Sequence, residues 1–384
     1  MQGTTALNPR QSPKTSSEAW SPARFFGSLL GLIVTLVILW YGFLFLRGTD
    51  ELSFGFFSLK GNDSPQVVNA LIAIIWGVGG VAVLFTLANM IVEGMPLRWQ
   101  SRIQPYVFVG PAVAILVWFL LVPTIRTLYQ SFFDASSTNF VGLSNYGAVI
   151  TDRGMLESFR NNAIWLFVGT GLCVIFGLLI AVLADRSRFE TLAKVLIFLP
   201  MAISFVGAGV IWRFMYAYAP PGQPQIGLLN AIVVGLGGQP QAWLSQQPWN
   251  NFFLIVVLVW IQTGFAMVII SAALKGVPGE LLEAARLDGA SEIQAFFRVI
   301  IPYIQGTLVT VTTTVAIFTL KIFDVVIVMT GGQYGTSVVA TQFYRQFFSN
   351  RNFGYGATIA IVLFLAVLPV MFYNLRQLRN QEGF

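Results

Sequence analysis

Long apolar runs separated by short polar breaks dominate this chain, and a spanning helix needs about 20 mostly apolar residues. Eight segments meet that requirement: 25–46, 67–92, 107–127, 163–184, 195–217, 251–274, 305–328 and 357–375. Pro369 interrupts the eighth near its end, where a membrane helix tolerates proline. The stretch 229–238 is too short to span and is expected at an interface. Residues 1–23 carry Ser, Thr and Pro without an apolar core, which predicts a disordered cytoplasmic tail. The first two helices read as an addition (24–104), closed by the hydrophilic break Glu93–Pro105 with its two prolines. A denser six-helix block follows over 105–384. No internal repeat is evident. The expected fold is all-α and polytopic, with about eight transmembrane helices.

Composition agrees with this pattern. The 384 residues are 56% hydrophobic and 10% charged, against about a quarter charged in a soluble domain. With 34 Phe and 10 Trp, the chain suits lipid-facing helices and interfacial belts. The absence of histidine excludes His-based triads and cysteine/histidine zinc sites. A lone Cys173 within an apolar run excludes an internal disulfide and reads as a small hydrophobe. No metal site and no cofactor are expected. The net charge of +6 reflects basic cytoplasmic loops rather than nucleic-acid binding. With the N-terminus inside, cytoplasmic segments hold Arg98, Arg102, Arg186, Arg188, Lys194, Lys275, Arg286 and Arg298, which fits the positive-inside rule. Both termini are then cytoplasmic.

One segment breaks the apolar pattern. Between the sixth and seventh spans, 279–302 carries Glu280, Glu283, Arg286, Asp288, Glu292 and Arg298. Pro278 suits a first-turn position, and Glu280 and Glu283 complement the positive end of the helix dipole. Gly289 is a helix stop. Ser291 and Gln294 form a capping-box pattern, S-x-x-Q, that restarts the chain. Ile293, Phe296, Phe297, Ile300 and Ile301 then fall on one helical stripe. The pattern predicts a helix–turn–helix on the inner membrane surface. Its stripe would anchor it to the bundle, leaving Glu283, Ala284 and Ala285 for a partner backbone, with Asp288 and Gly289 at the bend. An amphipathic connector hugging the membrane is the plainer reading of the same residues.

Glu283-Ala284-Ala285, three residues, Gly289, nine residues, then Val299-Ile300-Ile301-Pro302 resembles the "EAA" loop of ATP-binding-cassette importer permeases. That loop reads E-A-A, three residues, G, nine residues, I-x-L-P; Val299 and Ile301 are conservative departures. Segments Val122–Asp134, Phe159–Trp165, Phe198–Tyr216 and Lys321–Ser337 resemble the maltose-type sugar-permease branch. Permeases for α-glucosides and glucosylglycerol look most similar. The resemblance implies a type I importer permease fold and a permease subunit forming half of a sugar pathway. It also implies that 279–302 couples to a cytoplasmic ATPase dimer. A second homologous permease and a periplasmic or extracellular sugar-binding protein are the other implied partners, beside membrane lipid. No catalytic residue is expected, and no G-x-x-x-x-G-K-[ST] phosphate loop occurs. The alternative is a secondary transporter driven by an ion gradient, for which Asp324 is the intramembrane carboxylate.

Charges within a membrane face a cavity, a partner or the interface. Lys321 and Asp324, three apart on the seventh span, share a face and form either a structural ion pair or part of the path. Arg213 and Tyr216 at the end of the fifth span, with Trp212, suit either sugar stacking or interfacial anchoring. Gln262, mid-span, bonds a sugar hydroxyl or bridges helices. Gly331, Gly332 and Gly335 predict a turn. Asn161 and Asn162 suit helix capping as well as a ligand role.

Overall fold

The computed structural model describes residues 22–46, 52–54, 57–59 and 66–381. The predicted tail therefore lies outside the described residues, except for Pro22 and Ala23, which open the first helix. The chain divides into two compact units, Met1–Pro123 and Thr124–Phe384.

In the first unit, α1 (Pro22–Leu46) packs along α2 (Gln66–Glu93). Between them in sequence lie two short antiparallel strands, β1 (Leu52–Phe54) and β2 (Phe57–Leu59), the only paired strands among the described residues apart from a single bridge between Phe133 and Phe140. Next, α3 (Leu97–Leu116) lies against α2, with Phe85 stacked on Phe108 at 6.4 Å. A π-turn, Val117–Leu121, continues α3 into α4 (Val122–Gln130). Nearly all large side chains here face outward. Helices apolar on every side need other protein or lipid around them.

The second unit builds its core on one helix. Two helices, α5 (Ser144–Thr151) and α6 (Arg153–Ile164), precede a π-turn, Trp165–Gly169, which leads into α7 (Thr170–Asp185). After α8 (Glu190–Phe198), a 3₁₀ turn at Leu199–Ala202 and α9 (Phe205–Met215), the short α10 (Leu228–Gly235) leads to α11 (Asn250–Lys275). Apolar residues surround α11 on all faces, and it becomes the centre: Leu254, Val257, Leu258, Ile261, Met267 and Ile270 are buried. It packs on α7, where Cys173 and Ala181, with Trp165 of the π-turn before them, complete the cluster. Cys173 is wholly buried, as its surroundings in sequence predict. After the segment α12 (Gly279–Leu287), α13 (Glu292–Ala295) and α14 (Ile301–Tyr303) come α15 (Gln305–Leu320), α16 (Asp324–Met329), α17 (Val339–Tyr344) and α18 (Phe353–Gln381).

Among the described residues, six helices are long and apolar enough to span, or up to eight if two bent pairs each count as one. The fifth predicted span bends by 102° between Ala202 and Phe205. Pro200 tightens the chain into the 3₁₀ turn, and the Ser204 hydroxyl caps α9 by accepting from the Gly207 amide at 3.0 Å. The seventh span is broken. Its helix ends at Leu320 and a new one starts at Asp324. No Gly or Pro lies between residues 307 and 330 to announce this. The freed Leu320 carbonyl instead accepts from the Asn162 amide at 2.9 Å, so a tertiary contact compensates for the break.

Candidate functional site

The charged segment folds as the pattern predicts, into two short helices set at an angle. Pro278 is the N-cap of α12, and Glu280 occupies its first turn. Gly289 has φ +80°, a left-handed conformation. The Ala290 amide donates to the Ala285 carbonyl and the Gly289 amide to the Arg286 carbonyl, both at 3.0 Å. These are the paired bonds of a Schellman C-cap. Both capping-box bonds form: the Gln294 amide donates to the Ser291 hydroxyl, and the Ser291 amide donates to the Gln294 side-chain oxygen. Arg286 Nε donates to Glu292 Oε1 at 2.8 Å and ties one helix to the other. That hydrogen bond and charge hold the Arg286 guanidinium above its ordinary pKa. Both partners are well exposed, so breaking the pair costs little. Arg286→Ala is expected to leave the thermal unfolding midpoint of the detergent-solubilised protein nearly unchanged.

Two details differ from the sequence pattern. Ala285 is buried, so the surface offered outward is Glu283, Ala284 and Leu287, the last 89% exposed. The apolar stripe is split, because residues Phe296–Ile300 form a π-turn. A π-turn holds more residues than an α-turn and rotates everything beyond it. Ile293 and Phe297 remain 72% and 64% exposed, while Ile300 and Ile301 are half-buried. Ile293, Phe296 and Phe297 line a groove of about 470 Å³ with Ile175, Leu178, Leu179 and Val182 of α7.

Among the described residues, no hydrogen bond or ion pair joins the solute-path candidates to one another. Tyr216 is 3% exposed, and its hydroxyl donates to the Phe253 carbonyl at 3.0 Å. Its ring packs among Trp212, Trp243 and Phe253. Arg213 is exposed and reaches the Val328 carbonyl at 3.4 Å. Gln262 is buried on α11. Lys321 and Asp324 do not share a helical face, because α15 stops at Leu320; Lys321 instead sits over the Phe318 ring at 5.4 Å.

Asparagines form a second polar network, farther along the bundle. The loop 330–338 contains four left-handed residues, Gly331, Gly332, Tyr334 and Gly335. Asn161 donates to the Gly335 and Ser337 carbonyls at 2.8 and 2.7 Å, and Asn250 to the Tyr334 carbonyl at 2.6 Å. Asn162 accepts from the Val339 amide at 2.8 Å while donating to Leu320. Neither Asn161 nor Asn162 caps its own helix, which Asp152 does for α6; both clip distant backbone, Asn162 at the last carbonyl of α15 and the first amide of α17. The loop borders a cavity of about 490 Å³ lined by Glu157, Arg160, Gln247, Asn250, Asn251 and Gly335. Asn162→Ala leaves two buried backbone groups unpaired, which costs about 1–3 kcal/mol. The expected result is a lowered unfolding midpoint in detergent.

Residues 173–380 match the family described as the binding-protein-dependent transport system inner membrane component. The chain belongs to this family. The osmoprotective compounds uptake permease protein GgtC of Synechocystis is 54% identical over 275 residues, covering 72% of this chain and 99% of the relative. The α-glucoside transport system permease protein AglF of Rhizobium meliloti is 45% identical over 332 residues, covering 83% and 99%. A bacterial ABC transporter that imports the polysaccharide alginate has the same fold, with a TM-score of 0.64 at 20% identity over 73% of this chain and 99% of that one. The chain is thus a multi-pass inner-membrane permease of an ABC importer, a transport component rather than an enzyme. Such permeases work with an ATPase and a periplasmic substrate-binding protein. The relatives give no support to an ion-gradient mechanism.

Sequence reading missed two features of this permease. One is the reach of Asn161 and Asn162, whose side-chain amides donate to carbonyls more than 150 residues away. The other is an ionic cluster joining Asp185, Glu190, Lys194, Ser271 and Lys275. Its local signal, Glu190 and Lys194 one helical turn apart, was present in the sequence.

Proposed function

We propose that this permease forms half of the translocation pathway of a carbohydrate importer and meets a cytoplasmic ATPase dimer through residues 279–302. The observation that carries the proposal is the α12 surface. Glu283 and Ala284 face outward on a helix fixed at one end by a Schellman cap and tied by Arg286 to its neighbour. A small side chain permits close approach of a partner backbone, and one carboxylate fixes register through a basic group. Asp288 and Gly289 set the angle between the two helices. The name of AglF supports an α-glucoside and that of GgtC an osmoprotective compound, beside the resemblance of the sequence to permeases for α-glucosides and glucosylglycerol.

A second, homologous permease completes the pore, and a periplasmic sugar-binding protein delivers solute. The hairpin end is then cytoplasmic, as are both termini. Residues 24–104, which hold α2 and all but the first two residues of α1, are an addition to the six-helix block 105–384. Gln262, Lys321, Asp324, Arg213 and Tyr216 remain the path candidates. Tyr216 serves chiefly as packing, because its hydroxyl is already committed to Phe253.

Proteoliposomes holding this permease, its partner permease, the ATPase and the binding protein test the reading. Uptake of a radiolabelled α-glucoside is expected with internal ATP and not with an ion gradient alone. Gradient-driven uptake without ATP, or none under either condition, overturns it. In the same system Gln262→Ala and Lys321→Ala separate path from scaffold: a raised apparent Michaelis constant places the residue on the path.

A further inference from the structure

The hairpin is joined to the bundle through α11, whose last residue, Lys275, lies three positions before Pro278. The ionic cluster sits at this junction. Lys194 of α8 donates to Asp185 Oδ1 at 2.5 Å, Glu190 Oε1 at 2.6 Å and Ser271 Oγ at 2.6 Å. An ammonium has three donors, and here all three are used. Ser271 Oγ passes its own hydrogen to Asp185 Oδ1 at 2.7 Å, closing a ring. Lys275 pairs with Glu190 on the same carboxylate oxygen.

The placement of these groups is informative. Asp185 is the last residue of α7, where the helix dipole disfavours a negative charge. Its partners compensate for that position. Ser271 is 3% exposed, and the Lys194 and Asp185 side chains are mostly buried. Two cations and two anions balance within the cluster, which lets it lie at a low-dielectric boundary. The result is one polar knot binding the end of α7, the first turn of α8 and the last turns of α11. Side chains on rigid helices move with them, so displacement of α12 pulls on Lys275 and Ser271. The knot shares that pull with α7 and α8.

We infer that Lys194 is a coupling residue, clamping α7, α8 and α11 so that movement of the hairpin is transmitted to all three. The inference rests on the reading of α12 as the ATPase contact. With the clamp intact, moving the hairpin means moving three helices, which restrains ATPase closure when no solute is being delivered. With the clamp cut, the hairpin follows the ATPase alone.

The test is ATP hydrolysis by the purified importer in the absence of binding protein, normalised to assembled complex. Lys194→Met is expected to raise this idle hydrolysis about fivefold or more, the lower range of a coupling energy between sites. Lys194→Arg, which keeps the charge, is expected to fall between the two. A residue with a purely structural role would lower the yield of assembled complex without raising hydrolysis per complex. An assembled Lys194→Met importer that idles at the parental rate overturns the inference. Where Lys194→Met fails to assemble, Lys275→Met decides, because its side chain is 54% exposed and contributes less to folding. Raised idling supports the clamp and parental idling removes it. Uptake by the parent is a separate arm: its absence defeats the importer reading, while idle hydrolysis still reports on the clamp.

Discussion

Gly289→Val is expected to reduce ATP-driven uptake by tenfold or more while the permease still reaches the membrane in normal amount. A left-handed conformation costs an ordinary L-residue roughly 1–2 kcal/mol, and a β-branched side chain tolerates it least. At Gly289, φ is +80°, and a Cβ placed there would meet no atom within 4 Å. The conflict is therefore one of backbone conformation alone, not of packing. Relief comes from turning the chain at that residue, which breaks the Ala290–Ala285 and Gly289–Arg286 bonds and swings α12 relative to α13. The bundle has no reason to unfold, because Gly289 touches none of its core. Gly289→Asp should act in the same direction more weakly, and Gly289→Asn least, since Asn and Asp accept left-handed geometry more readily. The measurements are uptake in proteoliposomes and co-purification of the ATPase at equal permease level. A Gly289→Val permease with parental uptake would contradict both the bend and its role.

Gly177→Leu is expected to do the opposite, removing folded protein rather than coupling. Gly177 of α7 crosses α11 at Ala266, and a Cβ at Gly177 would lie 2.5 Å from the Ala266 Cβ. It would also lie 3.1 Å from the Met267 backbone nitrogen. Backbone has no rotamer with which to yield, so the two central helices must separate. Overpacking of this kind costs about 1–3 kcal/mol even for small insertions, and a leucine adds several carbons to the densest crossing in the core. Size-exclusion profiles and thermal unfolding in detergent would show the loss. Even Gly177→Ala should lower the unfolding midpoint. An unchanged midpoint in Gly177→Leu would mean that this crossing is looser than drawn.

Much of this was legible in the sequence because its causes are local. A window of about 20 apolar residues marks a span whatever surrounds it, and seven of the eight windows fall on a long helix or on the pair bent after Ala202; the window 305–328 instead runs past the end of α15, which is bent by 68° against the helical stretch Glu292–Tyr303 before it. Capping is equally local: Ser291 and Gln294 sit three apart and bond each other's backbone, and Gly289 takes the conformation other residues avoid. The coupling candidates Glu283, Ala284 and Asp288 came from the resemblance of the segment to the loop of importer permeases, and they lie exposed on the hairpin. Reading failed where long-range contacts decided the outcome. Ala285 is buried while Ala284 and Arg286 beside it are exposed, and the π-turn at Phe296–Ile300 splits a stripe that is continuous on an ideal helix.

The sequence by itself determined that the chain spans a membrane, where its helices run, and that one polar hairpin interrupts them. Those properties follow from side-chain transfer energies and nearest-neighbour backbone geometry. Only the tertiary structure decided that the seventh span breaks after Leu320, that Lys321 and Asp324 part company there, and that Lys194 gathers three helix ends. A carbonyl left without its helical partner, or an ammonium leaving water, must find new hydrogen bonds. Which residue supplies them depends on which helices the fold brings together, here Asn162 from α6 and Ser271 from α11.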